Sequence, residues 1–428
     1  MAVAVEHRQK IAAASPRSRP RDLVLFVAGA MLLLSAVRAW TGADDLTSFG
    51  TFSAALRLAV PIGFAGLGAI YAERCGVVNI GIEGMMILGT WFGAWGGVQY
   101  GPWWGVVLGI AGGALGGLVH AIATVQFGVN HIVSGVAINI LGAGVARFMS
   151  VIAWADSTVG GGATQSPRVQ GDIPHVSLPF LGGGTLFGWH SPDALGWFTR
   201  HDWFFVSDIA GFLRAFCADV SWLTVMFLAL IPITWWVLWR TKFGLELRST
   251  GESPAAAESL GVPVYRMKYA GVVLSGALAG LGGAFLVLEA ANIYREGQTN
   301  GRGFIALAAL IFGNWRPVGV ALGSALFGFS DALQLRQESA VHALLLFVAL
   351  GALLFALRAL YQRRWKVAGV LGGFAFAFWL YYVTTDQVPV QFVFFTPHLT
   401  TLLVLSFATQ RLRMPAADGL VYRKGQVQ

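Results

Sequence analysis

Charge is scarce in this chain: 12% of its 428 residues are Asp, Glu, Lys or Arg, about half the roughly 25% of a soluble domain. With 56% hydrophobic residues, that shortage excludes an ordinary soluble fold and predicts a membrane protein. Cysteine is scarcer still. Cys75 and Cys217 form no CxxC pair and are expected on opposite sides of the membrane, so they imply neither a metal site nor a disulfide. No Walker-type phosphate loop, no HExxH pair and no GxSxG elbow occurs, and the eight His are scattered. The chain therefore lacks a nucleotide-hydrolysing loop of its own, and no cofactor, metal or enzymatic nucleophile-base set is expected. The net charge of +8 sits mostly at the ends of apolar segments. That is a topological signal, and no nucleic-acid partner is expected.

What the chain has is a succession of apolar segments. Twelve can be drawn, at residues 23–38, 52–72, 84–100, 103–127, 131–153, 219–239, 268–291, 303–314, 318–332, 341–360, 367–385 and 397–410. The fold class is thus all-α, a polytopic bundle of helices forming one transmembrane domain over residues 1–428. The first segment follows Arg17, Arg19 and Arg21 without a small-residue cleavage site after it, so it reads as a retained anchor. Strict alternation from a cytoplasmic N-terminus puts about 20 of the Lys and Arg on the cytoplasmic side, with both termini inside. The stretch 155–218, richer in Asp than Arg, falls outside.

The stretch 240–267 interrupts this pattern with polar residues and its own helix punctuation. Ser253 stands at an N-cap, Pro254 at the first helical position, Gly261 past the end and Pro263 beyond. A helix over 254–260 is about 10 Å long, too short to cross a bilayer and marginal alone, so it is expected to rest against something. Its basic flanks, Arg240, Lys242, Arg248, Arg266 and Lys268, place it in the cytoplasm.

Two further signals concern packing and pathway. Gly105, Gly109, Gly113 and Gly117 repeat every fourth residue, as do Gly276, Gly280 and Ala284, and such small-residue faces let helix backbones approach closely. The stretches 74–84 and 303–332 are short or Gly-interrupted; they read either as broken helices of an internally repeated transporter or as ordinary turns. Polar residues within the membrane are costly and commonly face a cavity or a partner. The candidates for a substrate pathway are Asn79, Glu83, Asn130 and Asn139, and a helix-packing role would use the same residue types. Asn79 and Glu83 would share a face if their segment is helical.

Five runs then carry a family resemblance: ERCGVVNIGIEGMM (Glu73–Met86), FGVNHIVSGVAIN (Phe127–Asn139), LRSTGESPAAAESLGV (Leu247–Val262), KYAGVVLSGALAGLGGAFL (Lys268–Leu286) and GRGFIALAALIFGNWRPVG (Gly301–Gly319). In this order they resemble the permease subunit of nucleoside-type ABC importers, within a superfamily that also moves ribose, other simple sugars and branched-chain amino acids. The resemblance covers Leu56–Ala155 and Val220–Gln334, and resumes weakly at Pro397–Leu405 and Gly419–Lys424. It implies about ten family helices in a bacterial inner membrane. It also implies a second homologous permease subunit, a cytoplasmic ATP-binding subunit and an extracytoplasmic substrate-binding lipoprotein as partners, with membrane lipid around them. Stretch 240–267 would be the coupling loop, and Gly251, Glu252, Ser253, Pro254, Ala255, Ala256, Glu258 and Gly261 would contact the ATPase. The chain departs from the pattern in its N-terminal anchor, in its long aromatic outer loop at 155–218, and in an apparent inserted helical hairpin at 341–385. The alternatives are a ribose, simple-sugar or branched-chain amino acid permease, an ion-coupled secondary transporter using Glu83, Glu289 or Asp331, and a membrane enzyme working in the outer loop.

Overall fold

The structure, a computed structural model, describes residues 20–155, 161–186, 188–334, 338–385, 388 and 412–424. Apolar sequence becomes helix almost throughout. In chain order the helices are α1 (Pro20–Thr41), α2 (Phe49–Arg74), α3 (Ile82–Tyr100), α4 (Pro102–Ala121) and α5 (His131–Trp154). There follow α6 (Ala194–Thr199), α7 (Val206–Ala215), α8 (Trp222–Arg240), α9 (Lys242–Glu252) and α10 (Pro254–Ser259). The last five are α11 (Val264–Phe285), α12 (Arg302–Phe312), α13 (Pro317–Gln334), α14 (Glu338–Tyr361) and α15 (Trp365–Thr384). Eleven of the twelve expected segments are helical; the twelfth, 397–410, lies outside the described residues. Among the described residues seven spans are long and apolar enough to cross a membrane, so the chain is a polytopic helical membrane protein.

Helix α12 corrects one expectation. Its 11 residues reach about 17 Å, roughly half of a 30 Å hydrocarbon core, so it does not cross by itself. An unwound stretch, Asn292–Gly301, precedes it. A second unwound stretch, Cys75–Gly81, separates α2 from α3. Hence Asn79 is not helical and does not share a helical face with Glu83.

Two helices form the centre. In α2 and α11, 72% and 78% of the membrane-length window is buried, against 11% in α15, which leaves α15 peripheral with Val370, Phe376 and Val383 exposed. Small residues set the packing there. The two glycine repeats face each other across α4 and α11: a Cβ on Gly280 would stand 2.8 Å from the Gly113 Cα and closer still to the Gly109 carbonyl oxygen. Helix α3 joins the same contact through Gly89 and Gly93, which lie against Gly280 and Ala284. A satellite core ties Met31, Leu34 and Val37 of α1 to Val341, Ala343 and Leu346 of α14. Helices α14 and α15 pack against each other, with His342 Nε2 3.1 Å from the Tyr382 carbonyl.

The described part of 155–218 is folded rather than open. It holds α6, α7, the antiparallel pair β2 (Thr185–Leu186) with β3 (Trp189–His190), and β1 (His175–Val176), which pairs with β4 (Val220–Ser221) just beyond the stretch. Helix α7 rests on α2, and Asp208 accepts from Thr47 Oγ1 at 2.5 Å while pairing with Arg38 at 3.3 Å. Trp197, Trp203 and His201 cluster beside it, the two indoles meeting edge to face.

Candidate functional site

Stretch 240–267 contains two helices rather than the one expected. Thr241 caps α9 by accepting from Gly244 N at 3.1 Å. Pro254 ends α9, because a residue before proline is driven into extended backbone, and Ser253 has φ −156° and ψ 91°. Ser253 therefore occupies the expected N-cap position of α10 but makes no side-chain capping bond. Gly261, at φ +83°, follows the helix end as expected. Pro254 and Ala257 are buried, while Glu252, Ala255, Ala256 and Leu260 are exposed, Leu260 at 84%. Gly251 touches the end of α2: a Cβ there would lie 3.1 Å from Gly76 N and closer to the Arg74 carbonyl.

What α10 rests on was not legible in the sequence. Tail residues 412–424 lie across this face. Ala417 N donates to the Gly251 carbonyl at 2.8 Å, Ala416 N to Glu252 Oε2 at 3.4 Å, and the Tyr422 hydroxyl to Glu258. Asp418 is buried beside Glu73, Arg74, Cys75 and Lys268. Burial pushes its carboxyl up to about 7 from an ordinary 3.8, against the opposing pull first of the neighbouring Glu73 carboxyl and then of Lys268 and the Gly419 N–H. A carboxyl raised by folding stabilises the docked tail below its unfolded value and loses that contribution as pH rises through the folded value. Tryptic cleavage of the tail at Arg423 and Lys424, divided at each pH by the rate on a free peptide of the same sequence, is therefore expected to be faster at about pH 8.5 than at about pH 5.5, and Asp418→Asn to reduce the difference. Equal protection of the wild-type tail at both pH values would refute this.

The helix breaks gather most of the expected pathway residues. Asn79, fully buried, donates from Nδ2 to Ser275 Oγ at 2.9 Å, and its Oδ1 has no partner among the described residues. Asn139 bridges the break, accepting from Gly84 N at 2.7 Å and donating to the Ile80 carbonyl at 3.0 Å. Glu83 joins the two breaks, with its carboxylate accepting from Gly301 N at 3.0 Å and Gly303 N at 2.7 Å. It thus places negative charge at the positive end of α12. Asn130 is elsewhere: exposed, it caps α5 by accepting from Ile132 N and Val133 N. Sequence reasoning missed His120 and Lys268. His120 Nδ1 is 2.8 Å from Ser134 Oγ and Nε2 3.2 Å from the Val78 carbonyl, and Lys268 Nζ donates to the Gly76 carbonyl at 3.3 Å.

At the opposite end of α8 from the 240–267 stretch, a cavity of about 530 Å³ is lined by Arg57, Asp172, His175, Asp219, Glu289 and Asn292. Glu289 pairs with Arg57 at 3.4 Å and with His175 Nε2 at 3.3 Å, and His175 Nδ1 lies 2.9 Å from Asp219. Sequence spacing gave no sign of this chain of charges, since its members lie far apart in the chain. Among the described residues no cluster of three or more potential metal ligands occurs.

The comparisons with known proteins agree on one class. A family profile described as branched-chain amino acid transport system / permease component matches residues 51–357. The guanosine ABC transporter permease protein NupQ of Bacillus subtilis is 32% identical over 87% of this chain and 96% of its own length. A putative glucose ABC transporter permease of Haloferax volcanii is 32% identical over 86% and 95%. The nucleoside ABC transporter permease protein NupC of Lactococcus lactis is 29% identical over 86% and 94%. No solved structure matches the chain.

Proposed function

The chain belongs to the branched-chain amino acid transport system / permease component family, and from that premise we propose that it is the permease subunit of a nucleoside-specific ABC importer. Relatives named for guanosine and nucleoside transport support the substrate class. In this reading the 240–267 stretch and both termini face the cytoplasm of a bacterial cell. A cytoplasmic ATP-binding subunit supplies the energy, a second homologous permease completes the pore, and an extracytoplasmic lipoprotein delivers substrate to the Arg57–Glu289–His175 vestibule. The α14–α15 hairpin stands on the lipid-facing edge. The chain's role is transport, with ATP hydrolysed on the partner.

The observation that carries the reading is the build of α10. A helix of six residues is unstable alone, yet this one is held by Pro254 and Ala257 while Ala255, Ala256 and Leu260 stay bare. Such a rod, fixed on one side and open on the other, suits a docking partner. Of the residues expected at the ATPase, the exposed Glu252, Ser253, Ala255, Ala256 and Gly261 form the contact, while Gly251, Pro254 and Glu258 hold the rod from behind; Asn79, Glu83 and Asn139 frame the path, and Asn130 stands apart from it as the cap of α5. Movement of α10 then changes which end of the path is open.

Ala256→Arg places a long cation on the exposed side and leaves the buried side intact. It is expected to cut ATP-dependent uptake of labelled nucleoside by at least about tenfold, the scale of a lost interface anchor, at unchanged protein level in the membrane. Unchanged uptake would end the assignment of α10. Uptake of labelled glucose but not of nucleoside by the wild-type complex would move the substrate to the sugar class, which the Haloferax relative represents.

A further inference from the structure

The tail touches several separate elements of this face. Within thirteen residues, Arg413 N donates to Asn314 Oδ1 at 2.7 Å in the turn between α12 and α13. Ala416 and Ala417 then bond the end of α9, and Asp418 is inserted beside Glu73 and Lys268. The Ala417 carbonyl lies so near Gly76 that a Cβ there would stand 3.2 Å from it. Gly76, at φ +82°, is the second residue of the unwound stretch between α2 and α3.

The same tail then turns onto α10. Tyr422, 6% exposed, packs with Ala257 and Val264, stands 6.0 Å ring to ring from Tyr265, and gives its hydroxyl to Glu258. Lys424 Nζ lies 3.9 Å from the other oxygen of Glu258. Glu258 is thus fixed by two tail side chains, and it is the charged residue of α10 itself. A six-residue helix has too few internal hydrogen bonds to keep a position of its own, so whatever holds Glu258 and Ala257 decides where α10 stands.

We propose that the C-terminal tail, residues 412–424, is a positioning strap that fixes α10 to the helix break at Cys75–Gly81 and carries displacement of α10 into α3. It rests on the importer reading given above and adds to it a transmission element that is distant in sequence from the 240–267 stretch. One end of the strap grips the rod through Tyr422 and Lys424. The other end lies against the break, with the Ala417 carbonyl over Gly76 and Gly419 over Val78, while Asp418 is buried between the ends of α2 and α11 beside Glu73 and Lys268. Since Gly84 N, on the first turn of α3, is already held by Asn139, a shift of the break is passed to α3 and α5 together.

The test uses the transporter purified with its ATP-binding subunit and reconstituted with its substrate-binding protein, measuring nucleoside taken up and ATP hydrolysed in the same vesicles. Wild-type ATP-dependent uptake tests the importer reading by itself; the variants test the strap. Tyr422→Ala with Lys424→Ala is expected to keep the ATP-binding subunit bound and ATP hydrolysis within about twofold, while uptake per ATP falls about tenfold, the scale of a typical coupling free energy. Tyr422→Phe, which loses only the hydroxyl contact, is expected to fall between the two. A strap that only stabilised the fold would lower uptake, hydrolysis and protein amount in parallel. As a measurement independent of folding, Glu258→Cys with Tyr422→Cys is bridged by a short bis-maleimide, which is expected to restore uptake lost in the unbridged pair. The native thiols do not compete, since Cys75 is buried with its thiol pushed up to about 12, and a Cys217→Ser background removes the other. Wild-type uptake per ATP in the double alanine variant, a parallel loss of uptake and hydrolysis, or no recovery on bridging would each overturn the strap.

Discussion

Gly280→Leu is expected to leave almost no folded protein in the membrane. Gly280 faces Gly109 and Gly113 so closely that even one added carbon would lie 2.8 Å from the Gly113 Cα and 2.9 Å from its amide nitrogen. The obstruction is backbone, which cannot rotate aside as a side chain can. A methyl group there is expected to cost about 1–3 kcal/mol by overpacking. A leucine requires α4 and α11 to separate, which also strips α3 of its contact at Gly89. Without a hydrophobic drive between helices in lipid, close van der Waals packing of this kind is what holds the bundle. Gly144→Ala is the matched control, because nothing lies within 4 Å of a Cβ at that position. Size-exclusion profiles in mild detergent should show a sharp peak for Gly144→Ala, a broadened one for Gly280→Ala and aggregate for Gly280→Leu. A monodisperse Gly280→Leu protein at wild-type yield would contradict this account of the core.

How far the sequence spoke depended on the range of the interaction. The glycine repeats were legible as close-packing faces because four-residue spacing is a local property of helix geometry; that the two repeats meet each other, Gly117 against Gly276 and Gly113 against Gly280, is not local. Helix α10 was legible from Pro254 and Gly261, whose backbone preferences act on their immediate neighbours. Helix α9 was not, because Lys242–Glu252 is too polar to show an apolar period and depends on Thr241 at its start and on Gly251 against Arg74 at its end. Asn79, Glu83 and Asn139 could be singled out as polar residues in an apolar setting, yet their partners are backbone groups freed by unwinding, at Ile80, Gly84, Gly301 and Gly303. Where a helix unwinds is decided by such partners as much as by the residues that unwind. The tail was least legible of all, since it is short and irregular and takes its order from the surface on which it lies.

Glu83 offers the strongest single test of the joined breaks. Its two oxygens accept from two N–H groups at the start of α12, which begins beyond an unwound stretch and has no side-chain cap from its own N-cap residue, Gly301. Glu83→Ala removes both bonds and strands those donors in a site where Glu83 itself is 7% exposed. Hydrogen bonds to a charged group contribute roughly 1.5–3 kcal/mol each, and stranding their buried partners adds to the loss, so about 3 kcal/mol of destabilisation is expected. In the family reading the loss is also mechanical, because α12 and α3 would no longer move as one. Uptake should then fall by at least about tenfold, as for other coupling free energies of this size. Glu83→Gln is expected to recover part of both effects, since its amide oxygen can accept from one N–H while its NH2 group faces the other. Thermal unfolding in detergent and uptake in vesicles should therefore rank wild type above Glu83→Gln and Glu83→Gln above Glu83→Ala. Glutamine behaving as badly as alanine would mean that charge at the start of α12, rather than the hydrogen bonds, holds the two breaks together. Alanine behaving as wild type would mean that nothing does.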